Sequence, residues 1–489
     1  MRAALGASRL RLARQLLAES LCVAAAGGAM GTAVAFGTVR LLIDLHPANL
    51  PRLEETSIDG RVLLFTLLVS IATAVLSGLL PAFSGSRCKL NEAIKGSGSR
   101  AVKGGASRLH RALIVAELAL TIVLLTGSGL LIRSILRLRA VDKGFTSFST
   151  VTMGVQLDPR YNGPERRSEF FHTLLARAQA LPGVEAAAAV DHVPLGGGES
   201  ISQIEVEGHP FDQTTSFESR LVTPRYFAAM GIPLVEGRDF DGGDAPGRTP
   251  TIIVSRSFER RYFPGRSALG RRVHDSGWRT IVGVVADVRM RELDATPPMQ
   301  IYLPMWQLPV GSAAVVVRSV LPPERTGSAL RRLVGNMDPA LAVAGVRTME
   351  QLVTEASAER RFQTLVLGVF GAISLFLSLL GLYALMAYTV QRRTAEIGIR
   401  MALGAPRSAV IGLVLRQGAG LWLGGIGLGF AGALTVTRWM RSLLFEVQPA
   451  DPVTFAGVAA LFCAVIAAAC YLPARRATHV DPVISLRCE

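Results

Sequence analysis

Residues 391–417 read QRRTAEIGIRMALGAPRSAVIGLVLRQ: a basic start, one acidic side chain, a Leu-Gly-Ala-Pro break and a return to apolar residues. The chain opens with a second version of the same phrase, MRAALGASRLRLARQLL at residues 1–17. Laid on one another without gaps, Arg2 falls on Arg400, Leu5, Gly6 and Ala7 fall on Leu403, Gly404 and Ala405, and Arg9 falls on Arg407. Gly404 and Pro406 break a helix, so the phrase predicts a short basic hairpin beside a long apolar segment. Glu396 and Arg400 stand four apart in the favourable acid-before-base order on one helix face. As a bare surface pair they would add only about 0.3–0.5 kcal/mol.

Working outward, six stretches are each long enough for a helix to cross a bilayer: 20–39, 62–81, 112–132, 365–387, 417–437 and 452–474. Five of them carry no Asp, Glu, Lys or Arg, and the third carries only Glu117. Half of the 489 residues are hydrophobic and the mean hydropathy is +0.37, which excludes an ordinary soluble enzyme. The segments 1–14, 82–111, 391–416 and 474–489 hold 19 basic against 4 acidic residues. Loops 40–61 and 438–451 hold 5 against 6. Basic loops stay in the cytoplasm, so the first set is expected inside and the second outside. That cytoplasmic surplus equals the whole net charge of +15, and no nucleic-acid partner is needed to explain it.

An odd number of crossings places residues 133–361 outside. Its 28 basic and 25 acidic residues do not oppose export, because large domains cross largely regardless of charge. None of the five cysteines falls in it, so it must fold without disulfides. STVTMGVQL, TPTIIVS, WRTIVGVVADV and AAVVVRSV read as strands; PERRSEFFHTLLARAQAL, SFERRYF and TGSALRRLVGNM read as helices. The expected fold class is an α-helical integral membrane protein of six transmembrane helices with an α+β external domain.

The repeat continues beyond the opening phrase. Gly27 and Gly31 meet Gly425 and Gly429, and LLPAFSGSRCKLNEAIK (79–95) matches YLPARRATHVDPVISLR (471–487). Both glycine pairs form G-x-x-x-G within a span, so all four positions are expected at helix contacts. Because Met1 aligns with the interior of the second copy, the chain is expected to carry one complete half and only the end of a first. The expected organisation is residues 1–95 as the end of a first unit, 96–111 as a cytoplasmic linker and 112–132 as a span. Residues 133–361 then form the external domain and 362–489 a second unit of three spans.

These motifs together resemble FtsX-like and MacB-like permeases of ABC transporters, and most of all the duplicated permeases of acidobacteria. The resemblance rests on residues 391–417, on VTPRYFAAMGIPLVEGRDF, on VSRSFERRYFPGRSALGRRV with IVGVVADVR, on QIYLPM, and on residues 79–95. It implies a MacB-type periplasmic core domain at 133–361 and a bacterial inner-membrane location. It further implies that Glu396, Arg400, Leu403, Gly404 and Ala405, with Arg2, Leu5, Gly6 and Ala7 in the first copy, contact ABC-type ATPase subunits. Two phrases would then serve two ATPases. The implied function is coupling of ATP hydrolysis to movement of the periplasmic domain, with a second permease half and a periplasmic adaptor as further partners. A membrane-anchored regulatory protein controlled by a similar ATPase is the alternative.

Other chemistry finds little support. No G-x-x-x-x-G-K-[ST], G-x-S-x-G or H-E-x-x-H occurs, and the seven histidines are scattered. ATP is therefore expected on a separate subunit, and the chain is expected to need no cofactor or metal of its own. The G-x-G-x-x-G at 427–432 lies inside an apolar span with no preceding strand, which fits helix packing better than a nucleotide. Glu117 lies near the cytoplasmic edge, where its carboxylate can reach the interface. A secondary transporter would want polar groups near the midplane, and Glu117 alone does not supply them.

Overall fold

Two helices open the chain, α1 (Arg9–Asp44) and α2 (Gly60–Ser86), and they pack on each other. The structure is a computed structural model that describes residues 9–44, 59–86, 104–198, 200–212, 215–392 and 406–477. A longer helix follows, α3 (Gly104–Ala140), which starts inside the stretch expected to be linker. Beyond the external domain come α9 (Ala358–Arg392), α10 (Arg407–Trp439) and α11 (Pro452–Ala477). Each of the six expected spans is thus helical. Among the described residues four helical stretches are both long and apolar enough to cross a membrane: Leu17–Gly37, Ala112–Ala140, Ala358–Tyr388 and Pro452–Ala469. Gly60–Val75 is apolar but shorter.

By its contacts the chain divides into two units, Arg137–Glu359 and the helical remainder, Met1–Leu136 with Arg360–Glu489. The first is built from twelve strands, β1 (Thr150–Gln156), β2 (Val184–Val190), β3 (Ile201–Ser202), β4 (Glu205–Val206), β5 (Phe217–Val222), β6 (Leu234–Gly237), β7 (Thr251–Ser255), β8 (Arg272–His274), β9 (Trp278–Val285), β10 (Gln300–Pro304), β11 (Ser312–Ser319) and β12 (Ala342–Thr348). Its helices are α4 (Pro164–Gln179), α5 (Tyr226–Met230), α6 (Arg256–Tyr262), α7 (Pro323–Met337) and α8 (Met349–Ala356). All four strands and all three helices expected from the sequence are present.

The strands join in one mixed sheet, in the order β12-β1-β11-β2-β5-β10-β7-β9-β8-β4, with β3 on β5 and β6 on β9. The first four are all antiparallel and are linked as β1-α4-β2 and β11-α7-β12, a split β-α-β arrangement. The segment from β3 to β10 is inserted between its two halves. Alternation is clear in β1, β2 and β11. Val151, Met153, Val155, Ala187, Ala189, Val315 and Val317 face α4 and α7, packing on Phe170, Phe171, Leu174, Leu330 and Val334. Ala186, Ala188, Val190 and Val316 face the opposite core with Tyr226, Phe227, Tyr302, Met349 and Leu352. Burial on both faces explains why VEAAAAV is a strand although alanine favours helix. Small side chains let α4 and α5 approach the same strand from opposite sides, and tertiary packing outweighs a propensity of under about 1 kcal/mol per residue.

Candidate functional site

Of the residues expected to contact an ATPase, Glu396, Arg400, Leu403, Gly404 and Ala405 lie outside the described residues, as do Arg2, Leu5, Gly6 and Ala7. The structure describes the helices on either side of the second phrase. α9 runs to Arg392, and α10 starts at Arg407 with Pro406 as its N-cap in extended conformation (φ −67°, ψ 148°). The two helices that flank the phrase therefore define the site, and both pack on α3.

α10 meets α3 through its glycines. A Cβ on Gly425 would stand 2.9 Å from the Leu118 Cβ, and one on Gly429 would stand 2.8 Å from the Ile122 Cβ. At Gly432 the nearest atom would be Val123 Cγ2 at 3.2 Å. Carbon atoms prefer about 3.5–4.0 Å, so only glycine permits this backbone approach. Equal steps along both helices, from 118 to 122 and from 425 to 429, show that α3 and α10 run in the same direction.

The first copy does not repeat this packing. Among the described residues a Cβ on Gly27 or Gly31 would meet nothing within 4 Å, unlike one on Gly425 or Gly429. The contact of α1 falls one residue further on, where a Cβ on Gly28 would meet Ser70 Oγ of α2 at 3.0 Å. One residue turns a helix face by roughly 100°. The repeated glycines thus share a sequence position without sharing a partner.

α9 packs antiparallel to α3 through small and hydroxyl side chains. Thr121 Oγ1 lies 2.7 Å from Ser374 Oγ, 2.8 Å from Ser378 Oγ and 2.8 Å from the Glu117 carbonyl of its own helix. Around this cluster, Cβ atoms on Gly381, Gly371 and Gly368 would contact Glu117 Oε2 at 3.4 Å, Leu125 Cδ2 at 3.3 Å and Ser128 Oγ at 3.4 Å. Glu117 is thereby placed against a glycine of α9.

α11 meets the other end of α3. A Cβ on Gly129 would stand 2.8 Å from Thr454 Cγ2, and the Arg133 guanidinium forms an ion pair with Asp451. Asp451 also caps α11, accepting from the Thr454 backbone N–H at 2.9 Å and from its hydroxyl at 2.7 Å. Burial pushes the Asp451 carboxyl up, but the Thr454 hydrogen bonds and Arg133 together hold it below the usual carboxylate range. Nearby, the Phe445 N–H donates to Ser134 Oγ at 2.9 Å. Residues 451–454, Asp-Pro-Val-Thr, carry a legible helix start, but Arg133 is 318 positions away and nothing local pairs the two.

The external domain holds its own buried polar group. Arg220, 2% exposed, bonds Glu218 at 3.1 Å and the Ser219 carbonyl at 2.7 Å, and Glu218 is also paired with Arg291. Parallel pairing of β5 with β10 sets Tyr302 opposite Arg220 and Gln300 opposite Glu218. Burial raises the Asp191 carboxyl above its ordinary range, against the opposing pull of Arg220 and of the hydrogen bond from the His192 N–H. A cleft of about 530 Å³ is lined by Arg160, Tyr161, Arg166, Phe170, Arg177 and Met337, and Arg160 there is already paired with Asp158 and Asp338. Among the described residues no group of His, Cys, Asp and Glu is arranged to hold a metal.

These two parts each match a known family. The model described as the FtsX-like permease C-terminal matches residues 1–87 and 368–482, and that described as the MacB-like periplasmic core domain matches residues 112–336. The chain belongs to the FtsX-like, MacB-like permeases of ABC transporters. Among curated relatives, the macrolide export ATP-binding/permease protein MacB of Escherichia coli is 28% identical over 286 residues, 54% of this chain and 42% of that protein. The probable export ATP-binding/permease protein MacB of Pseudomonas entomophila is 26% identical over 289 residues, 54% of this chain and 41% of that protein. This permease therefore spans about two fifths of the length of those relatives. The uncharacterized ABC transporter permease YknZ of Bacillus subtilis is 26% identical over 317 residues, 60% of this chain and 77% of that protein. The periplasmic region of MacB from Actinobacillus actinomycetemcomitans aligns over 44% of this chain and 95% of its own, with 15% identity and a TM-score of 0.31. Matching of one permease model at both ends of the chain agrees with the internal repeat.

Proposed function

We propose that this permease couples ATP hydrolysis by a separate ATPase subunit to movement of a periplasmic domain, in the service of export across the bacterial cell envelope. The chain would cross the inner membrane six times, with residues 133–361 in the periplasm. Glu396, Arg400, Leu403, Gly404 and Ala405 would receive the ATPase on the cytoplasmic side, and Arg2, Leu5, Gly6 and Ala7 would do so in the first copy. A second permease half and a periplasmic adaptor complete the assembly on this reading. ATP belongs to the partner, and the chain needs no cofactor of its own.

One observation carries the reading. α9 and α10, which flank the cytoplasmic phrase, both pack tightly on α3, and α3 and α9 lead directly into and out of the periplasmic domain. A push on the phrase therefore has a packed route toward the domain, made of close contacts rather than loops. The test is a double substitution, Glu396→Ala with Arg400→Ala, in the full chain co-expressed with an ABC-type ATPase subunit that the unsubstituted chain stimulates. Co-purification of the ATPase and its stimulated hydrolysis should fall while membrane insertion is unchanged. Undiminished stimulation in that variant would reduce the phrase to a solvated hairpin.

A further inference from the structure

The contacts of α3 with α9 and with α10 differ in kind. Toward α9 they include a saturated hydroxyl cluster. A threonine hydroxyl has one donor and two acceptor positions. The Thr121 hydroxyl has three oxygen neighbours at 2.7–2.8 Å, which uses its capacity if it donates to the Glu117 carbonyl and accepts from Ser374 and Ser378. Thr121 is fully buried and Ser378 nearly so. Sliding α9 along α3 by one residue would break the Thr121–Ser374 and Thr121–Ser378 hydrogen bonds and leave Thr121 only the Glu117 carbonyl of its own helix, where no water replaces the lost partners.

Toward α10 the contacts are carbon against glycine. Over 424–432 the close approaches are to Val115, Leu118, Ile122 and Val123, and they carry no direction. Glycines spaced by four meet apolar side chains spaced by four, so a one-turn displacement, about 5.4 Å, would present the same kind of notch again.

We propose that the bundle has one locked seam and one slip seam. α3 and α9, the two helices joined to the periplasmic domain, are held by Thr121, Ser374 and Ser378 as a single strut, and α10 shifts along that strut. The role of the slip in transport rests on the coupling reading above. The lock itself does not, and it is tested without any ATPase.

The experiment uses the full chain with Cys22, Cys88, Cys463, Cys470 and Cys488 replaced by alanine, in phosphatidylethanolamine–phosphatidylglycerol nanodiscs. Spin labels at the exposed positions Leu120 and Leu377 report the α3–α9 seam, and labels at Leu120 and Leu428 report the α3–α10 seam. The first pair should give one narrow distance and the second a broader distribution. Thr121→Val with Ser374→Ala and Ser378→Ala should cost the first pair its single narrow distance, whereas Thr121→Ser should keep it. The native comparison of the two seams stands even where the triple variant does not fold. Equal breadth at the two seams overturns the proposal, and so does a narrow distance retained in a folded triple variant. Loss of ATPase stimulation in the Glu396/Arg400 variant with a narrow α3–α9 distance would leave the lock standing.

Discussion

Gly429→Ala separates close packing from mere repetition. The new methyl carbon would fall 2.8 Å from Ile122 Cβ, 3.0 Å from its Cδ1 and 3.1 Å from its Cγ2. Each contact is shorter than the roughly 3.5 Å that carbon pairs tolerate, and since the shortest is to Ile122 Cβ, which no rotamer change moves, the α10 and α3 backbones must move apart. Overpacking of this kind costs about 1–3 kcal/mol, whereas helix propensity returns at most about 1 kcal/mol when glycine becomes alanine. Net destabilisation is expected. The equivalent change in the first copy, Gly31→Ala, meets nothing within 4 Å and should be neutral or stabilising. Thermal unfolding of the detergent-solubilised chain, followed through helical circular dichroism, compares the two. A second substitution, Ile122→Ala, removes the Cδ1 and Cγ2 clashes but keeps the Cβ contact, so in a double-mutant cycle it should hide part of the Gly429→Ala cost. If Gly429→Ala proves as benign as Gly31→Ala, or the two substitutions add without interaction, the packing argument is wrong.

Arg133→Ala should destabilise the helical unit by more than Asp451→Asn, because it leaves a buried carboxylate unpaired whereas the amide still caps α11; urea or SDS titration of the two variants ranks them. In the α+β domain Asp244 accepts from Arg238 at 2.8 and 3.0 Å and from the Thr251 hydroxyl at 2.8 Å, and despite burial these bonds hold its carboxyl below its ordinary value of 3.8. Since the folded value is the depressed one, this contribution is fully present above pH 3.8 and is lost as pH falls through the folded value, so Asp244→Asn should flatten acid unfolding below about pH 4. Cysteine labelling at the exposed Glu165 and at Gly98 should proceed from opposite sides of the membrane, and reaction of both from one side contradicts the topology.

Local pattern was enough for the long apolar helices and for the existence of an inserted α+β domain. These follow from quantities that are local or additive: runs of apolar residues and alternation of period two. The sequence also made the family legible, through phrases whose residues are contiguous. The tertiary structure alone decided which glycines are contacts. Gly27 and Gly425 look alike in sequence, yet only Gly425 is pressed against a neighbour, because a glycine becomes a notch only when another helix arrives on its face. It decided likewise that four alanines in β2 extend as a strand, since burial on both faces of a sheet is a property of the assembled domain. The Thr121 cluster and the Arg133–Asp451 pair join residues more than 250 positions apart, and no local pattern pairs them before the helices have packed.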